Sequence, residues 1–178
     1  VPPTVPSRPR RARPVFNRVH ERARATADLN NLRQIGIATQ TYLNDHDGVY
    51  FLPASNWMTP LHTKYLSSWK VFLSPFDRRA DTENDTTAPI SYGLNSNAKV
   101  TAGALSTDQI SKPSEFILFA PAQPFTATAA STTGVVTKDS AGSGGLTKGG
   151  THQSGSHINA VFADLHVENI LWSVFHDD

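Results

Sequence analysis

The sequence contains no cysteine. That excludes disulfides, thiolate nucleophiles and thiolate metal sites. No window approaches 18 consecutive apolar residues, so no segment reads as a membrane span. The charged-then-apolar opening of a secretory signal is also missing. Net charge is only +1 over 178 residues, too little to draw the whole molecule to nucleic acid or to an anionic surface. Catalytic signatures are lacking too. No serine sits in a Gly-x-Ser-x-Gly elbow, and Ser154-Gly155-Ser156 reads as loop. Gly142-Ser143-Gly144-Gly145 lacks the Lys-Ser/Thr of a phosphate loop. The chain is therefore expected not to be an enzyme and to use no cofactor.

What the sequence does have is a long helix signal. From Arg18 to Leu43 there is no proline and a single glycine, Gly36. Leu29, Leu32, Ile35, Thr39, Tyr42 and Leu43 recur at steps of three and four and form one packing stripe. Arg22, Arg24, Asp28, Asn31, Arg33 and Gln34 are assigned to the opposite, solvent face. Pro14 suits the first turn, where its missing N–H costs nothing. Asn44-Asp45-His46-Asp47-Gly48 reads as the stop. Asp45-x-Asp47-Gly48 also matches half of a calcium loop, but the glutamate that would complete it is absent. A helix over about 14–44 would be roughly 45 Å long. That is far beyond the usual three turns, and it suggests a spine projecting from a small head.

Charge is unevenly spread. Eight of the 16 lysines and arginines lie in the first 33 residues, opposed there only by Glu21 and Asp28. Residues 1–13, rich in proline and arginine, read as a flexible leader or an expression remnant. No aromatics are interleaved to stack on bases, so nucleic acid is not the expected partner.

The rest, 45–178, reads as a small head with long loops. Thr59-Pro60 supplies an N-cap and first turn for a helix over 61–66, with Trp57, Leu61, Tyr65 and Leu66 facing the core. Lys70-Val71-Phe72-Leu73 reads as a short strand. Residues 77–89 read as an exposed loop. Residues 89–95 read as a strand edge, and 115–120 as a buried strand. Residues 121–151 read as an exposed excursion with one strand at 134–137. Residues 157–163 and 167–172 form a hairpin signal around Asp164-Leu165. A long helix followed by a small antiparallel sheet is an α+β pattern, and 14–178 is read as one domain.

One cluster has metal-ligating chemistry: His152, His157, Asp164 and His166. Asp164 and His166 stand two apart. The plainer reading has Asp164 capping a tight turn with the histidines exposed, and no metal is expected. Trp57, Trp69 and Trp172 read as core or interface anchors.

Several stretches, in order, resemble a known family. Arg18-Val19-His20-Glu21-Arg22-Ala23-Arg24 with Asn31-Leu32-Arg33-Gln34-Ile35-Gly36 is similar to the helix of bacterial type IV pilin-like and type II secretion pseudopilin-like proteins. More narrowly, it resembles the prepilin-like family ending in His, nine residues, then Asp-Gly. Residues 71–77 look like that family's Val-Phe-x-Cys-Pro-x-Asp, with Ser74 in the cysteine position. Ser91-Tyr92-Gly93-Leu94-Asn95 looks like its Ser-Tyr-Gly-Met-Asn, and residues 113–119 fit its Pro-Ser-Glu-Thr strand. Asn159, Phe162, Asp164 and His166 fit the terminal signature. Two departures stand out: eleven residues separate His152 from Asp164, and Leu165 replaces the signature glycine. A left-handed leucine there would cost about 1–2 kcal/mol, so the turn is expected to be of another type or one residue longer.

The resemblance covers roughly 14–172. It implies a pilin-like fold and a structural subunit that assembles through its helix with copies of itself and related subunits. It further implies prepilin processing and methylation, an apolar anchoring half-helix of about 20 residues, and inner-membrane assembly machinery. The location implied is the bacterial envelope, either anchored with the head in the periplasm or in an extracellular filament. The Pro/Arg segment stands where the anchor would be, which points to its removal, and the chain as it stands is expected to be soluble. The alternative implied by the resemblance is a minor pilin-like protein binding DNA or a ligand through the basic segment or head loops.

Overall fold

The computed structural model describes residues 13–50, 57–77, 91–95, 99–100, 103–121, 135–136 and 150–177. The stretch 78–89 of the expected exposed loop, and 122–134 and 137–149 of the expected excursion, lie outside them.

Helix α1, Arg13–Asp45, runs 33 residues without interruption. Leu32, Ile35, Ala38, Thr39 and Leu43 are buried and Leu29 and Tyr42 half-buried, as the three-and-four spacing requires. The helix closes where Gly48 N–H donates to the Leu43 carbonyl at 2.9 Å. Asp47 and Gly48, with φ of 52° and 74°, supply the left-handed residues that such a closure needs.

Helix α2, Thr59–Lys64, lies two residues earlier than the 61–66 that the sequence suggests. Thr59 lies inside it rather than capping it, and Met58 occupies the cap position with no side-chain hydrogen bond. Pro60 sits in the first turn, where the lost N–H is harmless. The strand expected at 70–73 is instead a 3₁₀ turn, Trp69–Phe72. The Ser68 hydroxyl accepts from the Lys70 N–H at 3.2 Å, which starts the turn. Phe72 then meets Trp57 edge-on, with ring centroids 5.7 Å apart. A run of four residues with three apolar suits either structure, and here a local cap and an aromatic contact take the place of strand pairing.

Among the described residues seven strands follow: β1 Tyr92–Asn95, β2 Lys99–Val100, β3 Gly103–Ala104, β4 Ile117–Pro121, β5 Val135–Val136, β6 His157–Phe162 and β7 Val167–Leu171. A 3₁₀ turn, Thr107–Gln109, precedes β4, and a short helix α3, Trp172–Asp177, ends the chain. The main sheet has the order β5-β1-β4-β6-β7, while β2 and β3 pair separately. β1, β4, β6 and β7 pair antiparallel, and β5 joins β1 in parallel. The fold is α+β: one long N-terminal helix laid on a small, mainly antiparallel sheet.

The two sheet faces are distinct, as the period of two along a strand demands. Val161 and Asn159 of β6 face α1. Ile158 faces away and packs with Ala120 and Trp172 under α3. The main core gathers Leu32, Ile35, Trp57, Leu61, Tyr92, Leu94, Leu118, Phe119 and Val161 between sheet, α1 and α2.

The β6–β7 hairpin has a three-residue loop, one longer than a tight turn. Leu165 N–H donates to the Phe162 carbonyl at 2.9 Å, and Phe162 N–H donates to the His166 carbonyl at 3.0 Å. Leu165 takes φ of 69°. That is a type I turn followed by a left-handed residue, where glycine is the easy choice. Leucine tolerates the position because its side chain packs on the core. Gly36 of α1 sits under this turn: a Cβ there would lie 3.4 Å from the Leu165 carbonyl oxygen.

Candidate functional site

The densest polar grouping centres on Asp28, which the sequence reading placed on the solvent face. It is buried, at 1 % exposure. Its position explains why: it stands four residues before Leu32 and seven before Ile35, on the stripe that meets the sheet. A carboxylate so placed needs donors from several sides. It has three. Ser74 Oγ donates to Oδ1 at 2.5 Å, Tyr92 OH donates to Oδ1 at 2.6 Å, and Asn159 Nδ2 donates to Oδ2 at 2.7 Å. The donors arrive from the segment after the 3₁₀ turn, from β1 and from β6. Asn31, likewise expected on the solvent face, is half-buried and donates to the Leu73 carbonyl at 3.0 Å.

Ionisation follows from this packing. Burial pushes the Asp28 carboxyl above its ordinary value, and the bonds from Ser74, Tyr92 and Asn159 pull it partly back. Burial, then the Asp28 charge, pushes the Tyr92 phenol well above its ordinary value, so it remains a donor. Ser74 stands where the resembled family has cysteine. A hydroxyl is a stronger donor than a thiol, and here it closes the shortest bond of the three.

The network continues outward through β6 and β7. Asn159 Nδ2 also donates to the Ala25 carbonyl at 3.2 Å, and its Oδ1 accepts from Asn169 Nδ2 at 2.9 Å. Asn159 and Asn169 are directly paired across the two strands. Asn169 Nδ2 in turn meets His152 Nε2 at 2.5 Å, and His152 Nδ1 meets Thr151 Oγ1 at 3.1 Å. Each orientation follows from the one before. A carboxylate only accepts, so Asn159 must turn its amino group inward and its oxygen outward. Asn169 must then present its amino group, which also donates to the Ile158 carbonyl at 3.3 Å. With that amino group 2.5 Å away there is no room for a hydrogen on His152 Nε2, so the ring carries its proton on Nδ1.

His152 is buried at 2 % exposure and its ring stacks on Phe76, centroids 5.2 Å apart. Burial, then the charge of His157, pushes its pKa down to about 4. It is not the exposed histidine the sequence reading expected. Its loop carries consecutive left-handed residues at Gln153, Ser154 and Gly155, with φ of 51°, 60° and 81°. Only the glycine adopts this freely; the other two cost about 1–2 kcal/mol each.

Asp164 and His166 lie at the other end of β6, roughly 17 Å away along the strand. Asp164 Oδ1 accepts from the His166 N–H at 3.1 Å and is in short contact with the His166 ring. Desolvation works against the Asp164 charge, but the bonds from His166 outweigh it and hold the carboxyl below its usual range. His166 stacks on Phe162, with centroids 4.3 Å apart. His152 and the Asp164–His166 pair are thus not brought together. Among the described residues no group of three His, Asp or Glu side chains is placed to hold a metal.

Four of the sequence stretches therefore meet at one place, through Ser74, Tyr92, Asn159 and His152. Taken singly in the sequence, these stretches give no sign that Asp28 is buried or that Asn169 joins them. The spacing from Asp28 to Leu32 and Ile35 was the available signal; nothing marked Asn169.

On the solvent side, α1 presents Phe16, Val19 and Ile37 at 62 %, 59 % and 69 % exposure. An open groove of about 360 Å³ lies beside Ile37, between Gln34, Ala38 and Thr41 of α1 and Lys64, Tyr65 and Leu66. Among the described residues no helix is long and apolar enough to cross a membrane.

A chain with one long helix on a small sheet, tied by a buried polar hub, belongs by its architecture with α+β proteins of pilin-like arrangement. Residues 17–167 match the family described as a protein of unknown function, DUF1559, and the chain belongs to it. This is a family of bacterial proteins that are often type II secretion pseudopilin-like. Comparison with curated proteins and with solved structures finds no match.

Proposed function

We propose that this chain is a non-catalytic structural subunit of pseudopilin or pilin type, assembling with copies of itself and related subunits in the bacterial envelope. The observation that carries the reading is the second face of α1. Phe16, Val19, Ala23, Ala27, Asn30, Gln34, Ile37 and Thr41 follow one another at steps of three and four, and all are exposed. Three of the six large apolar side chains exposed among the described residues lie on this one seam. A helix already buried along its other stripe has no folding use for a second uncharged one, but helix-to-helix assembly does. The hub supports a structural role as well. Asp28, Ser74 and Tyr92 are sealed from solvent, and their donors and acceptors are used in joining helix to sheet.

The test uses the absence of native cysteine. The pair Phe16→Cys with Ile37→Cys, in the full chain expressed in its bacterium, gives an oxidative ladder of higher oligomers if copies stack along the helix. A purely monomeric pattern in intact cells argues against assembly.

A second reading has its own observation. Arg18, Arg22 and Arg24 are exposed on the same end of α1, with Glu21 as the one acidic residue among them. If that end captures DNA, affinity falls steeply with added salt. A flat salt titration removes this reading.

A further inference from the structure

Loop 150–156 closes tightly on itself and holds the lower end of α1. Gly150 N–H donates to the Gly155 carbonyl at 2.8 Å, and Gly155 N–H donates to the His152 carbonyl at 3.0 Å. At its tip, Gln153 N–H donates to Glu21 Oε1 at 2.5 Å. Glu21 is half-buried, while residues 16–20 and 22–24 around it are exposed. The loop is held down on its inner side by the His152 ring, packed on Phe76 and accepting from Asn169. The left-handed residues at 153 and 154 are unfavourable without such restraints.

We propose that this loop is a proton-released clasp: on acidification His152 takes up a proton at Nε2, its ring leaves the space between Phe76 and Asn169, the loop opens, and the Glu21 end of α1 comes free of the head.

The chemistry rests on the fixed direction of the network. A proton on Nε2 would point at the amino group of Asn169, 2.5 Å away. Turning the Asn169 amide would cure that contact but set its oxygen against Asn159 Oδ1. Asn159 cannot turn in compensation, because its amino group is held by the Ala25 carbonyl, which only accepts at any pH, as well as by Asp28. The closed loop therefore has no arrangement that accepts the imidazolium, whereas the open loop exposes it to water. The groups facing His152 are His157 from β6, whose charge opposes protonation, and Glu21 from α1, whose charge favours it. β7 presents the Asn169 amide, and the segment after the 3₁₀ turn presents the Phe76 ring. Burial and His157 outweigh Glu21 and hold the closed-state pKa at about 4, against 6.5 for an ordinary histidine. Between those values the balance moves toward the open loop by up to about tenfold per pH unit, so acidification from pH 6.5 to 4.5 shifts it roughly 40-fold.

The experiment places spin labels at Ala23→Cys and Ser154→Cys, both at exposed positions, and measures their separation by pulsed resonance at pH 7.0 and pH 4.5. Near-ultraviolet circular dichroism reports the fold in parallel. The expected result is one short distance at pH 7.0 and a second, longer population at pH 4.5, with the dichroism retained. In the His152→Gln variant, whose side-chain oxygen can still accept from Asn169, the short distance persists at both values. An unchanged wild-type distance overturns the proposal. So does the same opening in the variant, or loss of the dichroism together with the distance. A nitrogen-15 spectrum of the unsubstituted chain at pH 7.0 adds a check that needs no variant: His152 must carry its proton on Nδ1, and a proton on Nε2 overturns the clasp. None of these outcomes depends on whether the chain assembles.

Discussion

Asp28 shows how one acceptor-only group can impose direction on a chain of amides. With an asparagine in its place, one arm of the side chain becomes a donor facing donors. Asp28→Asn is therefore expected to cost about 2–4 kcal/mol, more than a lost surface bond, because Ser74, Tyr92 and Asn159 stay buried and one of them is left unsatisfied. Urea unfolding measures it, and a loss under about 0.5 kcal/mol would show that the hub does not stabilise the fold. His152 gives the matching pH dependence. Its pKa is near 4 when folded and 6.5 when unfolded, so between these values the unfolded chain binds the extra proton. The His152 contribution is whole above about pH 6.5 and is lost as pH falls toward 4, up to ~3 kcal/mol in all. Asp28 acts in the opposite sense. Its raised value lets the folded chain keep a proton that the unfolded one releases, so its contribution weakens as pH rises above 3.8. Comparing wild type with His152→Gln at pH 7.0 and 4.5 separates the two, and the variant should lose less stability on acidification.

At the scale of elements, what could be read from the sequence followed periodicity. The Leu29–Leu43 stripe marked α1 and its inner face, and the two apolar runs around Asp164 marked the β6–β7 hairpin. Short apolar runs did not carry enough information: residues 70–73 fit a strand, and only Ser68 and the Trp57–Phe72 contact turn them into 3₁₀. The hub was hidden for a different reason. Asp28 looks outward by polarity and inward by spacing, and its three partners are 46, 64 and 131 residues away in the chain. The stretch before β6 reads in sequence only as loop, yet Gly150 is closely packed in it. A Cβ at Gly150 would lie 2.5 Å from the His157 carbonyl oxygen and 2.8 Å from both the Gly155 carbonyl oxygen and the His157 nitrogen. All three are backbone atoms and none can swing away. Gly150→Ala is expected to cost about 1–3 kcal/mol by overpacking and to lower the thermal midpoint by several degrees. An unchanged midpoint would mean that the loop is free to shift.

At the scale of the molecule, α1 has two jobs on two faces, and substitutions can separate them. The inner stripe carries the head: Leu32 and Ile35 are fully buried, so changes there unfold the chain. The hydrogen bonds of the outer seam run within α1 itself, from Arg33 to Asn30 Oδ1, from Gln34 to the Asn30 carbonyl and from Thr41 to the Ile37 carbonyl, and the side chains of Phe16, Val19 and Ile37 are exposed. Phe16→Asp with Val19→Asp, or Ile37→Asp alone, is thus expected to leave urea stability within about 0.5 kcal/mol of wild type. The same changes place a charge where a neighbouring helix would have to bury it, a step that costs several kcal/mol per unpaired ion. Cross-linked ladders formed through a cysteine pair elsewhere on the seam, Ala23→Cys with Gln34→Cys, should then collapse to monomer. The discriminating case is a ladder that persists at full strength in the Asp variants while their fold is intact. Copies would in that event meet through the head, and the outer seam of α1 would have to be assigned another partner.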